Sequence, residues 1–188
     1  MKLIVGLGNP GKEYEKTRHN AGFLAIERFR QDSESGEWKF EHKFNAEIAE
    51  GKIDDERVML ARPHTYMNKS GEAVRALARF YKIKPNDVWV LHDDLDLPMG
   101  TLRIKMGGSA AGHKGVESVM RALGGASVRF RIGTAPARKR KESAEKFVLG
   151  KFSATDMKKI AVVAARISQA ITCAANDGLP KAMSLYSR

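Results

Sequence analysis

The most constraining feature of this sequence is a short apolar strand that runs directly into a glycine-rich turn. Leu3-Ile4-Val5 predicts a buried strand, and GLGNPG follows at residues 6–11. A strand that ends in glycines leaves backbone N–H groups where a ligand can approach closely. Asn9 lies inside the turn, and His19, a side chain that exchanges protons near neutral pH, follows ten residues later. The segment predicts a site at the carboxyl end of a first β-strand.

The glycine spacing by itself would also suit a dinucleotide-binding turn, because Gly6, Gly8 and Gly11 match G-x-G-x-x-G. That fingerprint requires a helix that opens at the second glycine and an acidic residue about 20 positions later. Pro10 interrupts the turn, and the helical pattern begins only near Asn20. A nicotinamide cofactor is therefore disfavoured, whereas a purely structural turn stays open at this point.

Helical and strand patterns alternate along the rest of the chain. Helices are predicted at 20–31, at 69–82, at 115–123, and over a long final stretch whose capping box is Ser153 with Asp156. Strands are predicted at 2–7, 43–50, 56–62, 88–91, 102–106 and 130–133. The adjacent pair of strands within 43–62 favours some antiparallel pairing. We therefore expect an α/β fold, a single layered domain over residues 1–188 with helices flanking a mixed, mostly parallel central sheet.

The net positive charge lies entirely in the second half of the chain. The formal net charge is +11, and residues 97–188 carry 17 Lys and Arg against 5 Asp and Glu. This asymmetry favours a polyanionic partner, most commonly nucleic acid, over a merely soluble basic protein. The densest run, Arg138-Lys139-Arg140-Lys141, has no periodicity and predicts a mobile loop within 138–146 that attracts phosphate without reading sequence.

Several classes of protein are disfavoured. The single cysteine, Cys173, permits neither an internal disulfide nor a Cys/His zinc set. No apolar run reaches the ~20 residues of a membrane-spanning helix, and no signal peptide is visible, so we expect a cytoplasmic protein without membrane contact. Neither a G-x-S-x-G elbow nor a P-loop lysine pattern occurs, which disfavours covalent acyl transfer and nucleotide hydrolysis.

The polar side chains at the predicted strand ends suit direct attack by water. In such chemistry a histidine accepts the proton, a carboxylate orients the imidazole, and amide side chains hold the water and the carbonyl. The residues alone leave His19, His92 and His113 as candidates for the base. Asp93 has two acidic neighbours within 94–96 as rivals, and a metal site there is disfavoured because no supporting set of histidines accompanies it.

Five segments, in order, resemble one family, the bacterial-type peptidyl-tRNA hydrolases. They are GLGNPG, TRHNAGF, RPHTYMNKSG at 62–71, HDDLDLPMG at 92–100 and GGSAAGHKG at 107–115. FVLGKF at 147–152 and DGLPKAM at 177–183 extend the likeness over essentially the whole chain. The resemblance implies a cofactor-free and metal-free esterase that hydrolyses the bond between a peptide and the 3′-terminal ribose of tRNA, recycling tRNA from stalled or aborted translation. Peptidyl-tRNA is the implied partner, and we expect a monomer.

The resemblance also implies roles for particular residues. His19 corresponds to the general base, and Asp93 to the carboxylate that orients it. Asn9 is implied to sense the acylated amino group of the peptide. Contacts with the substrate near the scissile ester are implied for Asn9 and Asn68, whereas Tyr14 and Tyr66 match aromatic positions that line the site for the terminal nucleotide or the peptide. Met67 is implied as an apolar wall of the site, and His113 and Lys114 as further contacts with the substrate. Lys105 and Arg131 match a clamp on a tRNA phosphate, with pairing to a carboxylate as the alternative for Arg131.

One position departs from the family pattern. Gly112-His113-Lys114-Gly115 stands where the family commonly reads G-H-N-G. Lysine is longer, is charged and has no acceptor, so only a contact with the ester carbonyl or an RNA phosphate is carried over. The departure leaves room for an alternative, a non-catalytic RNA-binding homologue of the same fold. An active enzyme is favoured because His19, Asp93, Asn9 and Asn68 are all in place.

Overall fold

Seven strands form one sheet in the computed structural model, which describes residues 1–136 and 142–187. The strands are β1 Lys2–Gly6, β2 Lys39–Glu41, β3 Ala46–Ile53, β4 Glu56–Pro63, β5 Val88–Pro98, β6 Leu102–Met106 and β7 Val128–Ala135. Their spatial order is β2-β3-β4-β1-β5-β7-β6. β1 pairs in parallel with β4 and β5, and β5 with β7, whereas the outer pairs are antiparallel. Since only β3 and β6 run against the others, the expected mixed, mostly parallel sheet is confirmed.

Helices cover both faces of the sheet. They are α1 Ala21–Asp32, α2 Ser70–Phe80, α3 Lys114–Leu123, α4 Ala144–Val148, α5 Ala154–Asn176 and α6 Leu179–Tyr186. Short 3₁₀ helices lie at Arg18–Asn20, His42–Phe44, Met67–Lys69 and Pro85–Asp87. The predicted capping box is present, because the Ser153 hydroxyl accepts from the Asp156 N–H and the Asp156 carboxylate accepts from the Ser153 N–H.

Two apolar clusters, one on each face, follow from the two-residue period of the strands. Ile4 of β1 faces the cluster that α1, α5 and α6 cover, whereas Leu3 and Val5 face the one that α2 and α3 cover. Because both faces of the central strands are buried, their sequences are continuously apolar. In the described part of the chain no helix is both long enough and apolar enough to cross a membrane.

Some elements differ from the sequence-based expectations. β5 runs on through 92–98, where His92, Asp93, Asp94 and Asp96 interrupt the apolar pattern, so this pattern marked only the first four residues of the strand. The sequence predicted one long final helix, but a second helix, α6, begins at Leu179, since a proline such as Pro180 is well tolerated in the first turn of a helix. β2 and α4 were not expected either, and α4 begins within the last residues of the predicted loop at 138–146. The run Arg138–Lys141 lies outside the described residues.

Close packing brings the first helix against the ends of two central strands. A side chain on Gly22 of α1 would collide with the Leu91 carbonyl oxygen and with the backbone of Leu7. Only glycine therefore allows α1 to start where it does, immediately after the 3₁₀ helix that carries His19. As a result, His19 lies beside the carboxyl ends of β1 and β5.

Candidate active site

A cavity of about 400 Å³ opens at the edge of the sheet where β1, β4 and β5 end. Ligands of α/β sheets commonly bind at this edge. Eight of the residues to which the family resemblance gave a role line the cavity: Asn9, His19, Tyr66, Met67, Asn68, Asp93, His113 and Lys114. His92, Asp94 and Asp96 line it as well. Tyr14, Lys105 and Arg131 are not part of its lining. The structure thus brings together side chains from five segments that are far apart in sequence.

A buried carboxylate joins two histidines at the base of the cavity. Asp93 Oδ1 lies 2.8 Å from His19 Nδ1 and 2.9 Å from His113 Nε2. Asp93 is only 1% exposed, and burial alone would raise its pKa. The interactions with His113 and His19 outweigh burial and hold the pKa of the carboxyl well below its usual range. Asp93 is therefore an ionised hydrogen-bond acceptor for both rings.

The hydrogen bonds also determine where each ring carries its hydrogen. His113 is the N-cap of α3, and its Nδ1 accepts from the N–H groups of Gly115 and Val116, both at 3.2 Å. His113 must then donate through Nε2 to Asp93. His19 in turn donates through Nδ1 to Asp93, which leaves the lone pair of His19 Nε2 available to the cavity.

His92, the second candidate for the base, occupies a different environment. Its Nδ1 lies 2.7 Å from the Asp93 carbonyl oxygen, and its Nε2 is buried without a hydrogen-bond partner among the described residues. Its ring packs edge-on against His113, with centroids 4.9 Å apart. Burial, followed by the neighbouring His113, holds the pKa of His92 well below its ordinary value. His92 is therefore a neutral ring in the wall of the site.

The acidic neighbours of Asp93, Asp94 and Asp96, do not contact His19. Asp94 Oδ2 accepts a hydrogen bond of 2.6 Å from Arg131 Nε, and Asp94 Oδ1 accepts from the Asp96 N–H at 2.9 Å. Asp96 itself is exposed. Of the three acids, Asp93 is the one that reaches His19. The pairing of Arg131 with a carboxylate is the alternative that the sequence had left open.

Asn9 is held in place by three hydrogen bonds. Its N–H donates to Asn20 Oδ1, and its carbonyl oxygen accepts from Asn20 Nδ2, at 2.9 and 3.0 Å. Its side-chain Oδ1 accepts from the Met67 N–H at 2.8 Å. The side-chain NH₂ group makes no hydrogen bond within the described residues. Asn9 therefore offers the cavity a donor, which matches a carbonyl oxygen of a ligand.

Tyr66 has a backbone conformation that side chains rarely adopt. Its φ is 57° and its ψ is 160°, a region populated almost only by glycine. The residue is 56% exposed, so burial of the ring does not explain the conformation. Strain of this kind persists where the surroundings impose it, and it clusters at ligand sites. Here it turns the chain from β4 into the Met67–Lys69 helix, so that Met67 is buried and Asn68 lines the cavity.

Lys114, which departs from the family pattern, forms an ion pair across the mouth of the cavity. Its Nζ lies 2.6 Å from Glu145 Oε1 on α4, and both side chains are more than half exposed. The hydrogen bond and the charge of Lys114 lower the pKa of Glu145. Leu149, just beyond α4, also lines the cavity. The ion pair connects α3 with α4, the two elements that border the opening.

Sequence reasoning missed Arg129, which shapes one wall of the site. Arg129 is 4% exposed and donates to the backbone oxygens of Ser109, at 2.7 Å, and of Gly107. Burial, followed by repulsion from Arg131, lowers its pKa from the ordinary value. The arginine therefore holds the glycine-rich segment that leads to His113. The available signal was the alternation of arginines with apolar residues over 128–132, but the predicted strand began only at residue 130 and so left Arg129 out.

Two further residues lie apart from the cavity. Tyr14 is half-buried in the turn before His19, where its carbonyl oxygen accepts a 2.8 Å hydrogen bond from the Thr17 hydroxyl. Lys105 is exposed on β6 and lies opposite Arg129 in the register of the sheet. Arg131 lies opposite Arg103 in the same pair of strands. These cationic side chains share one face of the sheet, beside the cavity rather than within it.

The His19, Asp93 and His113 side chains could also serve as metal ligands, since their ligand atoms lie within 4.8 Å of one another. In the observed geometry both ring N–H groups donate to the same carboxylate oxygen. A cation bound there would have to displace both hydrogens, and it would remove the contact that orients His19. The donor set therefore fits a hydrogen-bonded triad better than a metal centre.

Comparisons with known proteins show the family to which this fold and sequence belong. The family model for peptidyl-tRNA hydrolase matches residues 3–188. The chain is 42% identical over 191 residues to a peptidyl-tRNA hydrolase of Dehalococcoides mccartyi strain CBDB1, with full coverage of both chains. A Brevibacillus brevis peptidyl-tRNA hydrolase is 51% identical over 127 residues, 66% of this chain and 65% of that protein. The crystal structure of the Acinetobacter baumannii enzyme superposes with a TM-score of 0.92 at 34% identity, over 100% of this chain and 94% of that one. This chain belongs to the peptidyl-tRNA hydrolase family.

Proposed function

We propose that this protein hydrolyses the ester bond between a peptide and the 3′-terminal ribose of tRNA, and so releases tRNA from stalled or aborted translation. One observation carries the proposal. His19, oriented by the ionised Asp93 at 2.8 Å, presents a free Nε2 to a cavity that amide side chains also line. This arrangement activates water directly and needs no covalent intermediate on the protein.

The proposed reaction begins with a water molecule hydrogen-bonded to His19 Nε2. As the water oxygen attacks the ester carbonyl carbon, its proton passes to Nε2, and Asp93 stabilises the resulting imidazolium. The carbonyl oxygen becomes an oxyanion, for which the NH₂ group of Asn68 is the candidate donor. The tetrahedral intermediate then expels the ribose oxygen, which takes the proton back from Nε2. The products are a free peptide carboxylate and tRNA.

His113 supports this reaction as a positioning residue. The two N–H groups at the start of α3 keep its Nδ1 free of hydrogen, so its Nε2–H always points at Asp93. That bond fixes the carboxylate oxygen which in turn orients His19. We assign to His113 the orientation of Asp93, in addition to the substrate contact expected from the sequence.

The remaining predicted contacts are proposals as well. Tyr66 offers an exposed ring for stacking, and Met67 an apolar wall for varied peptide side chains. Tyr14 lies farther away and would contact only a part of the substrate outside the cavity. Lys105 and Arg131 remain our candidates for contacts with a tRNA phosphate, with Arg131 held in position by Asp94. Lys114 would contact the substrate at the mouth of the cavity.

We further propose that residues 1–188 act as one domain and as a cytoplasmic monomer, without cofactor or metal. The alternative function, an RNA-binding homologue without activity, has no support among the relatives named above.

The test is hydrolysis of N-acetyl-aminoacyl-tRNA by the purified protein, with and without a chelator. We expect release of the N-acetyl amino acid at the same rate in both samples, and slower hydrolysis of aminoacyl-tRNA that has a free amino group. If neither substrate is hydrolysed, the proposed function is wrong. If the chelator abolishes hydrolysis, the proposal that the reaction needs no metal is wrong.

A further inference from the structure

A second cationic surface lies on α2, on the other side of the cavity from Lys105 and Arg131. The segment 69–84 contains five Lys and Arg against one acid, Glu72. All five cations are exposed, and among the described residues none of them has an ion-pair partner. On the neighbouring helix α3, by contrast, Arg121 pairs with Glu117. The five cations of the 69–84 segment are therefore available to a ligand.

The core packing of α2 directs these cations outwards. Ala73, Val74, Leu77 and Ala78 are buried against the sheet. Arg75 and Arg79, four residues apart, share the opposite face of the helix. The 69–84 segment thus turns one side to the core and a row of positive charge to solvent.

An exposed aromatic ring accompanies the charge. Phe80, the last residue of α2, is 58% exposed. Lys43 Nζ lies 4.2 Å from the centre of its ring and 4.8 Å from that of Phe44. Cations beside an exposed aromatic face are the combination that binds nucleic acid, because the cations attract phosphates and the ring can stack on a base.

The surface leads away from the cavity. Asn68 lines the cavity, and Lys69 follows it immediately before α2 begins. From residue 69 to residue 80 the helix rises by about 17 Å. A polyanion held at the cavity could therefore contact Lys69, Arg75 and Arg79 in succession. Glu41 and Glu50 lie near Tyr81, where after burial they raise its pKa, and they bound the surface on the side of β3.

We propose that the α2 surface, formed by Lys43, Lys69, Arg75, Arg79, Phe80 and Lys82, binds the phosphate backbone of the tRNA moiety of the substrate. This inference rests on the proposed function. RNA is favoured over an anionic membrane because the surface has a single large apolar side chain, Phe80. It is favoured over an acidic protein because the neighbouring cavity is built for a tRNA ester. The RNA would then contact cations on both sides of the cavity.

The test compares two triple variants that remove the same charge. Arg75→Gln/Arg79→Gln/Lys82→Gln neutralises the α2 surface, and Lys158→Gln/Lys159→Gln/Arg166→Gln neutralises α5 on the opposite layer. Affinity for deacylated tRNA is measured from low to high salt. We expect the slope of log affinity against log salt to flatten by about 2 for the α2 variant and to stay unchanged for the α5 variant. The charge-preserving Arg75→Lys/Arg79→Lys variant should keep the wild-type slope.

A second measurement separates RNA binding from damage to the site. Hydrolysis of N-acetyl-aminoacyl-adenosine should be unchanged in the α2 variant, because this fragment reaches only the cavity. An unchanged salt slope in the α2 variant, or an equal change in both triple variants, would overturn the proposal, and so would loss of fragment hydrolysis. Because deacylated tRNA is not hydrolysed, a flattened slope would support the α2 surface even if the proposed esterase activity failed.

Discussion

Asn9 illustrates how much the geometry adds to the identity of a residue. The sequence implied that Asn9 senses the acylated amino group, but it did not say through which atom. Since Asn9 Oδ1 accepts from Met67, only the NH₂ group is left to meet the substrate. This donor suits the carbonyl oxygen of a peptide and opposes the ammonium group of a free aminoacyl-tRNA.

Replacing the amide by a carboxylate tests this orientation. Asn9→Asp keeps an acceptor for the Met67 N–H but removes the donor. We expect kcat/KM for N-acetyl-aminoacyl-tRNA to fall about 10- to 100-fold, in line with loss of one hydrogen bond in a desolvated site. Hydrolysis of the free-amine substrate should fall less, because a carboxylate attracts an ammonium group. Parallel losses for the two substrates would mean that Asn9 does not read the amino group.

Tyr66 provides a residue-scale test of strain. At ordinary positions glycine is less favourable than alanine by about 0.5–1 kcal/mol. At Tyr66, where φ is 57° and ψ is 160°, the order should reverse. We expect Tyr66→Gly to have a free energy of unfolding about 1–3 kcal/mol above that of Tyr66→Ala, as measured by urea denaturation. Both variants lack the ring, so an equally raised KM in the two would assign the ring to the substrate. A less stable glycine variant would show that no strain is stored there.

At the scale of elements, the ion pair between Lys114 and Glu145 connects α3 with α4. Lys114 and Glu145 are both well exposed, so their interaction is screened by salt. We expect the KM of Lys114→Asn for peptidyl-tRNA to differ from the wild-type KM at low salt. At high salt, where the charge of Lys114 is screened, the two KM values should become similar. Glu145→Gln, which frees Lys114, should lower KM if Lys114 contacts a phosphate. If the two variants change KM in the same direction, the pair acts by holding α3 and α4 together rather than through Lys114 alone.

The elements were predictable where the apolar pattern is strong. β1, α2 and α5 are long or strongly apolar, and the sequence located them. β5 was predicted too short because its polar second half is the part that carries Asp93. The chain departs from a simple burial pattern there because the strand serves the site. α6 was missed because a proline can begin a helix as well as follow one.

The distribution of charge becomes clear only at the scale of the whole molecule. Residues 1–96 carry 16 Lys and Arg against 17 Asp and Glu, which suggested a first half without affinity for nucleic acid. Folding separates these charges, because Glu27, Glu47 and Glu50 pair with arginines while the cations of 69–84 stay unpaired. A count along the chain cannot show this, since pairing depends on which faces meet.

Stability of the whole molecule should depend on pH through His92. Burial keeps its native pKa well below the ordinary value, whereas in the unfolded chain it titrates near 6.5. Below about pH 6.5 the imidazole of His92 therefore binds a proton in the unfolded state but not in the native state. As a result, the free energy of unfolding falls as pH falls. We expect the free energy of unfolding of the wild-type protein to fall more steeply from pH 6 to pH 5 than that of His92→Gln, by at most about 1.4 kcal/mol per pH unit, as measured by urea denaturation. Identical slopes would show that His92 is protonated in the native state.

The most direct test of the proposed chemistry is the turnover of N-acetyl-aminoacyl-tRNA by His19→Ala. The matched control is His42→Ala, which removes an exposed histidine that does not line the cavity. If His19 is the base, kcat should fall by about 10²–10⁴-fold, while affinity for deacylated tRNA and the activity of the control variant stay near wild type. Asp93→Asn should reduce kcat less than His19→Ala, because Asp93 acts only through His19. A His19→Ala protein that binds tRNA and retains near wild-type kcat would contradict the assignment of His19 as the base and return that role to His92 or His113.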